Sequence, residues 1–274
     1  FEITDLAGVI DDHRIDIRDE HGIKKLVSEV QPDFVFHLAA QALVIPSYEL
    51  PLDTMTINAI GTANVLDALR QLKKQVVAVI ITSDKSYDNV ERVWGYREVD
   101  RLGGKDPYSA SKGMAELAIR SYVESFFSEK NTNIRVGVTR AGNVIGGGDW
   151  AVDRIVPDCM RSWSQGDVVD IRSPWSTRPW QHVLEPLSGY LWLGARLWDR
   201  KEGLNGEAFN FGPRAEQNRS VIDLITSMRN YWKASMDNDA YVITENIPFK
   251  EAGLLKLNCD KALFHLRWDA TLEY

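Results

Sequence analysis

The sequence predicts an α/β fold: a doubly wound parallel sheet covered by helices on both faces, joined to a smaller α/β lobe. Three observations predict it. Runs such as Phe34-Val-Phe-His-Leu38 and Gln75-Val-Val-Ala-Val-Ile-Ile-Thr82 are apolar on consecutive positions, as strands buried on both faces are. Segments with helical periodicity separate these runs, the alternation that gives a parallel sheet. After Val144 the alternation weakens, and loops and short elements follow.

Taken in order, Asp19 to Val30 reads as a helix with Ile23, Leu26, Val27 and Val30 as its apolar stripe. Pro32 ends it, and the strand Phe34 to Leu38 follows. Thr56 to Leu72 reads as a helix with Ile60, Ala63, Leu66, Leu69 and Leu72 facing inward. Gln75 to Thr82 is the next strand. Pro107, a first-turn residue, starts a long helix to Phe127. Ile134 to Val138 is a strand. Gly146-Gly-Gly-Asp-Trp150 is a loop, whose glycines suit either a phosphate-side turn or a simple bend. Val156 to Trp163 reads as a helix, Val168 to Arg172 as a short strand, Val183 to Leu197 as an apolar helix returning to the sheet, and Ala208 to Phe211 as a strand. Ser220 suits an N-cap for Val221 to Trp232.

With 274 residues the chain can bury one large core or two modest ones. Its hydrophobic content of 44% and charged content of 26% are those of a globular protein. The net charge of −7 argues against nucleic acid as a partner. Two cysteines, Cys159 and Cys259, have no metal-ligand spacing, so a reduced, cytoplasmic chain without metal is expected. No apolar run has the length of a membrane span.

The chemistry concentrates in two places. Ser83-Asp84-Lys85 ends the second strand, and Tyr108 and Lys112 stand four apart on one helix face. An ammonium beside a phenol stabilises phenolate, so Lys112 is expected to lower the pKa of Tyr108 and suit it to take an alcohol proton. A Tyr-x-x-x-Lys pair alone is also what any exposed helix shows. Ser83 strengthens the reading, because ligands of open α/β sheets bind at strand carboxyl ends. Eliminating water from a sugar needs a base for a carbon acid and an acid for the departing hydroxyl. Asp84 is the candidate acid and Lys85, in its neutral form, the candidate base, a charged Lys85 that stabilises the enolate while another group moves the proton being the alternative; the plain reading is a surface Asp-Lys after a strand.

Tyr108-x-x-x-Lys112, Asp16-Ile-Arg18, His37-Leu-Ala-Ala40 and Arg140-Ala-Gly-Asn-Val144 together resemble the extended short-chain dehydrogenase/reductase family. Within it, Thr82-Ser-Asp-Lys-Ser-Tyr87 matches the place where nucleotide-sugar 4,6-dehydratases carry Thr-Asp-Glu. Lys in place of Glu resembles the branch that acts on CDP-glucose. So do Ala141-Gly-Asn-Val-Ile-Gly-Gly-Gly-Asp-Trp150, Asp153-Arg-Ile-Val-Pro157 and the stretch Arg178 to Ser188.

The resemblance implies a Rossmann-type NAD-binding domain over 1–144 and about 181–212, and a nucleotide-sugar lobe over about 145–180 and 213–274. It implies conversion of CDP-glucose to CDP-4-dehydro-6-deoxyglucose and water, as a step toward dideoxysugars of surface polysaccharide. Catalysis would fall to Ser83, Asp84, Lys85, Tyr108 and Lys112. Tightly held, regenerated NAD would meet Asp16 and Ile17 at its adenine end, Leu38, Ala39, Ala40 and Gln41 alongside, and Ser83, Tyr108 and Lys112 at the nicotinamide. Asn143, Arg178 and Trp180 would meet the substrate, Arg178 by pairing with the diphosphate. Trp150 and Trp175, like Trp180, suit either a substrate wall or core packing. His37 reads as a packed strand residue, and Asn58 as a structural or cofactor-side one. A homodimer or a dimer of dimers is implied, through the helices near Thr56 and Pro107.

The chain departs from the family at its start, where no Gly-x-x-Gly-x-x-Gly turn occurs and the sequence begins Phe1-Glu-Ile without Met. A preceding segment of a longer protein is expected to carry that turn. Leu263 to Trp268 runs abruptly into Asp269 to Tyr274, as though a loop were missing. Two rival readings stay open: a nucleotide-sugar 4-epimerase, which needs no elimination pair, and a non-catalytic NAD-binding regulator.

Overall fold

The computed structural model describes residues 6–128, 132–232, 240–244 and 252–273. Its elements, in chain order, are α1 (Glu20–Val30), β1 (Phe34–His37), α2 (Val44–Glu49), α3 (Pro51–Met55), α4 (Gly61–Leu69), β2 (Val76–Ile81), α5 (Pro107–Phe126), β3 (Ile134–Ala141), β4 (Val144–Ile145), α6 (Ile155–Ser164), β5 (Val169–Ile171), β6 (Thr177–Arg178), β7 (Gln181–His182), α7 (Leu184–Trp198), β8 (Ala208–Phe211), β9 (Arg219–Ser220), α8 (Val221–Tyr231), β10 (Tyr241–Ile243) and α9 (Asp260–Leu266).

β1, β2, β3 and β8 form one parallel sheet in that order, with Phe34 opposite Val77, Val76 opposite Ile134 and Val138 opposite Ala208. The alternation of β2 explains its unbroken apolar run. Val76, Ala78 and Ile80 point to one face and pack with Ile23, Leu66, Leu69 and Ile119 of α1, α4 and α5. Val77 and Val79 point to the other and pack with Leu193 and Leu197 of α7 and Ala262 and Leu266 of α9. Burying both faces leaves no position on the strand for a polar side chain. A separate apolar cluster, built on Cys159, Trp163, Val169, Ile171 and Ile225, joins α6, β5 and α8.

One expected helix differs. Its inward stripe was expected at Ile60, Ala63, Leu66 and Leu69, with a start at Thr56. The helical path instead begins at Pro51, the first residue of α3, and passes through a π-helical turn at Thr56–Ile60 before α4. A π turn inserts an extra residue and rotates what precedes it about the axis. Asn58 and Ala59 are thereby buried and Ile60 is left half exposed. The other expected helices and strands agree within a few residues, and the capping box of α8 forms on Ser220 and Asp223.

Candidate active site

The carboxyl end of β2 runs into a single 3-10 turn, Asp84–Ser86, whose N-cap is Ser83. The Ser83 hydroxyl accepts from the backbone N–H of Lys85 at 3.2 Å and donates to Asp84 Oδ1 at 3.1 Å. This turn packs against α5. It sets Ser83 beside the Tyr108 phenol, close enough to influence its titration. Asp106 caps α5, accepting the Ser109 N–H at 2.9 Å and the Ser109 hydroxyl at 2.6 Å, and Pro107 fills the first turn. Tyr108 and Lys112 thus face inward from the start of a well-capped helix, and both are buried.

Asp84 is almost fully buried, and its Oδ2 has no hydrogen-bond partner. Such an oxygen costs free energy unless a ligand or water meets it. Lys85 Nζ lies 3.8 Å from Asp84 Oδ1 and its side chain is 27% exposed, so it reaches solvent while Asp84 does not. The pair is not a surface Asp-Lys.

Burial sets the electrostatics. It raises the Tyr108 phenol to about 12, against the lowering influences of Ser83 and Arg154. Lys112 was expected to lower the phenol; it is raised instead, because desolvation of the phenolate outweighs the favourable influences. Burial also takes the Lys112 amine down to about 8, a fall that Glu116 opposes. His37 is held down to about 4 by burial and by Lys112, and its Nε2 lies 3.0 Å from Thr62 Oγ1.

The remaining expected residues fall into two groups. Leu38, Ala39, Ala40 and Gln41 follow the carboxyl end of β1, with Leu38 and Ala39 exposed. Asn58, carried by the π turn, accepts the Gln41 N–H at 2.9 Å and donates to Gln41 O and to Ser111 Oγ, so it ties this loop to α5. Ile17 packs on Gly61, where an added Cβ would meet Ile17 Cγ2 at 2.7 Å. The Asp16 carboxylate is held by Arg18 through its backbone N–H and side chain, which lowers it to about 2.

On the other side, Asn143 lies beside β4, its Oδ1 buried and without a partner. Arg178 is buried in the antiparallel β6–β9 pair, its Nη1 donating to the carbonyls of Thr177 and Ala252. Trp180 is buried and donates to the Arg219 carbonyl at 3.2 Å, whereas Trp150 and Trp175 are exposed. Sequence reasoning gave no role to Glu116, Arg140 or Arg154. The first two form a fully buried ion pair behind Ser83, and the charge of Arg154 acts on Tyr108. Arg140 and Arg154 stood inside quoted motif blocks, which was the available signal.

A family model described as GDP-mannose 4,6 dehydratase matches residues 4–271. The chain is 46% identical over 273 residues to the CDP-glucose 4,6-dehydratase of Salmonella typhimurium, a match covering 98% of this chain and 74% of that one. It is 24% identical over 247 residues to the CDP-paratose 2-epimerase of Salmonella typhi, covering 81% and 69%. Among solved structures, a dTDP-glucose 4,6-dehydratase from Streptomyces venezuelae with NAD and TYD bound superposes with a TM-score of 0.82 at 19% identity, covering 99% of this chain and 80% of that one. The UDP-glucose 4-epimerase of Thermotoga maritima superposes at 0.80 and 21% identity, covering 95% and 79%. The Ser83, Tyr108 and Lys112 cluster at the end of a parallel sheet is thus accompanied by a family match along nearly the whole sequence, and the chain belongs to the GDP-mannose 4,6 dehydratase family.

Proposed function

We propose that this chain removes water from CDP-glucose, giving CDP-4-dehydro-6-deoxyglucose by oxidation, elimination and reduction at one site. The observation that carries the proposal is the 46% identity, over 98% of the chain, to a CDP-glucose 4,6-dehydratase.

The residues fit NAD. The exposed Leu38-Ala39 stretch allows close backbone approach, and Ser83, Tyr108 and Lys112 supply hydroxyl, phenol and amine at the adjoining strand end. Asp16, Ile17, Leu38, Ala39, Ala40 and Gln41 would hold it along its length, with Lys112 on the nicotinamide ribose. When bound, NAD supplies the acceptor for the C4 hydride and the donor that returns it at C6. Tyr108 takes the C4 hydroxyl proton, and Lys112 stabilises the phenolate. Ser83 hydrogen-bonds the sugar O4. The C4 ketone acidifies the C5 proton, which Lys85 removes. Asp84, through its unpartnered Oδ2, protonates the departing C6 hydroxyl.

Asn143, Arg178 and Trp180 are proposed for the substrate side, in a lobe comprising about 145–180 and 213–274, with 1–144 and about 181–212 forming the cofactor domain. The cluster joining α6, β5 and α8 supports this division, while α9 packs on the sheet. A second copy is proposed to pack on α3 and α5.

Incubating the protein with CDP-, dTDP-, UDP- and GDP-hexoses and weighing the products tests the proposal. Loss of one water from CDP-glucose alone is expected. A product of unchanged mass with inverted C4 would instead establish epimerisation, and NAD binding without turnover a regulator.

A further inference from the structure

Behind the reacting groups lies an ion pair that the mechanism above does not use. Glu116 is one helical turn beyond Lys112 on α5, and Arg140 is the last residue but one of β3; both side chains are 4% exposed. Arg140 Nε donates to Glu116 Oε1 at 2.7 Å and Nη2 to Oε2 at 2.8 Å, a two-pronged contact. The Thr82 hydroxyl donates to the same Oε1 at 2.6 Å. Thr82 is the residue immediately before Ser83.

Arg140 is itself held. Its Nη1 donates to the Tyr87 hydroxyl at 2.9 Å and to the Glu98 carbonyl at 3.1 Å, and its guanidinium stands 4.8 Å over the Tyr87 ring. Tyr87 OH donates to Asn210 Oδ1 at 2.7 Å, and Asn210 Nδ2 donates to the carbonyls of Tyr96 and Asn258. The network therefore joins the ends of β2, β3 and β8 to α5.

A buried ion pair of this kind is weak evidence for stability, since apolar residues of equal volume often serve as well. What it does here is geometric. Ser83 comes from the sheet and Tyr108 and Lys112 from α5, so their separation depends on how the end of β2 is held against that helix. The Thr82–Glu116 hydrogen bond spans that seam. Glu116 also places a negative charge one turn from a buried amine. Other ionisable groups on its own helix and on the elements packed there include Tyr108 one turn back, His37 of β1, on which the charge of Lys112 acts, and Asp84 and Lys85 of the turn packed against α5.

We propose that Glu116, held by Arg140, is a positioning residue that fixes Ser83 against Tyr108 through Thr82 and sets its carboxylate one helical turn from Lys112, where it favours the ammonium. This rests on the dehydratase reading for its kinetic consequence, but its electrostatic part does not.

Two measurements test it. In substrate-free protein carrying lysine labelled with 13C at Cε, the Lys112 resonance, assigned by its absence in Lys112→Met, is followed against pH. Glu116→Gln is expected to move its titration down by about half a unit or more, because the opposing charge is gone. An unmoved titration overturns the electrostatic part, whether or not any sugar is turned over. Thr82→Val removes the hydroxyl's hydrogen bonds to Glu116 and to the Thr139 carbonyl while leaving Arg140 and Glu116 their own two contacts, and a thermal melt confirms that the variant is folded. It is expected to lower kcat roughly tenfold or more with KM within about twofold, and Thr82→Ser to restore kcat. Unchanged kcat in Thr82→Val, or failure of Ser to rescue, overturns the positioning role. A wild-type protein that turns over no nucleotide hexose sinks the dehydratase reading and leaves the Lys112 titration to decide this one.

Discussion

Among single residues, His37 carries a consequence outside catalysis. Its folded value of about 4 lies below the ordinary 6.5. Between these values the unfolded chain binds a proton that the folded chain does not, so stability falls as pH drops from about 6.5 toward 4 and is unaffected above. The loss amounts to about 3 kcal/mol at the lower end. Urea unfolding of His37→Gln at pH 7 and pH 4.5 should show a smaller pH difference than wild type; an equal difference would remove His37 as the cause. At the reacting groups, Tyr108→Phe should cost roughly a hundred- to ten-thousandfold in kcat. Lys85→Met should leave C4 oxidation measurable yet stop solvent deuterium entering C5, and normal incorporation would end the assignment of Lys85 as base. Ser83, Asp84 and Lys85 could be read from the sequence because they are contiguous, and Tyr108 with Lys112 because helical spacing joins them. Glu116 and Arg140 could not, since their partnership spans 24 residues and exists only once β3 lies beside α5. The rise of Tyr108 was missed for a related reason: spacing reveals a neighbouring charge but not how completely the pair is desolvated.

At the level of elements, the turn before α5 decides where the phenol stands. Asp106→Ala removes a cap and should cost about 1 kcal/mol of stability, seen as a lower unfolding midpoint. Gly104 lies under the same helix start: a Cβ there would meet Ala110 N at 2.3 Å and the Ser109 carbonyl carbon at 2.4 Å. Backbone cannot yield as a side chain can, so Gly104→Ala should cost about 1–3 kcal/mol and reduce kcat as well, by tilting the turn that carries Tyr108. Thermal melts and initial rates on the pair separate the effects: capping loss lowers stability first, displacement lowers both. A Gly104→Ala protein with unchanged melting and rate would refute the close approach. The strands and most helices were legible because two-sided burial leaves an unbroken apolar run and one-sided burial leaves a stripe. The helix after β1 was only partly legible. Its π turn shifts the stripe by a residue, and periodicity assumes a constant turn. That irregularity buries Asn58 where it can join Gln41 to Ser111, so the misread segment is also one that shapes the site.

For the molecule as a whole, the two sides of α5 make different demands. Tyr108, Ser111, Lys112, Ala115, Glu116 and Ile119 are buried. Met114 and Leu117 are exposed by 42% and 59%, and Leu52 and Ile60, on the helical path packed against α5, by 77% and 52%. Apolar side chains gathered on adjoining helices are a surface that water penalises and a second copy can cover. A twofold axis beside α5 would set the same face against itself, as a closed dimer requires. With 20 residues, α5 runs for about 30 Å, enough for an interface of ordinary size when its neighbour contributes. The same helix carries Tyr108 and Lys112, so the contact would also stiffen the catalytic face. Wild-type protein is expected to sediment as a dimer or a pair of dimers at micromolar concentration. Ile60→Glu with Leu117→Glu buries two carboxylates from each protomer at the interface and should shift it to monomer, while Leu191→Glu, on the exposed surface of α7, should not. If the double variant keeps the wild-type sedimentation coefficient, or Leu191→Glu alone dissociates the protein, the second copy does not sit on α3 and α5.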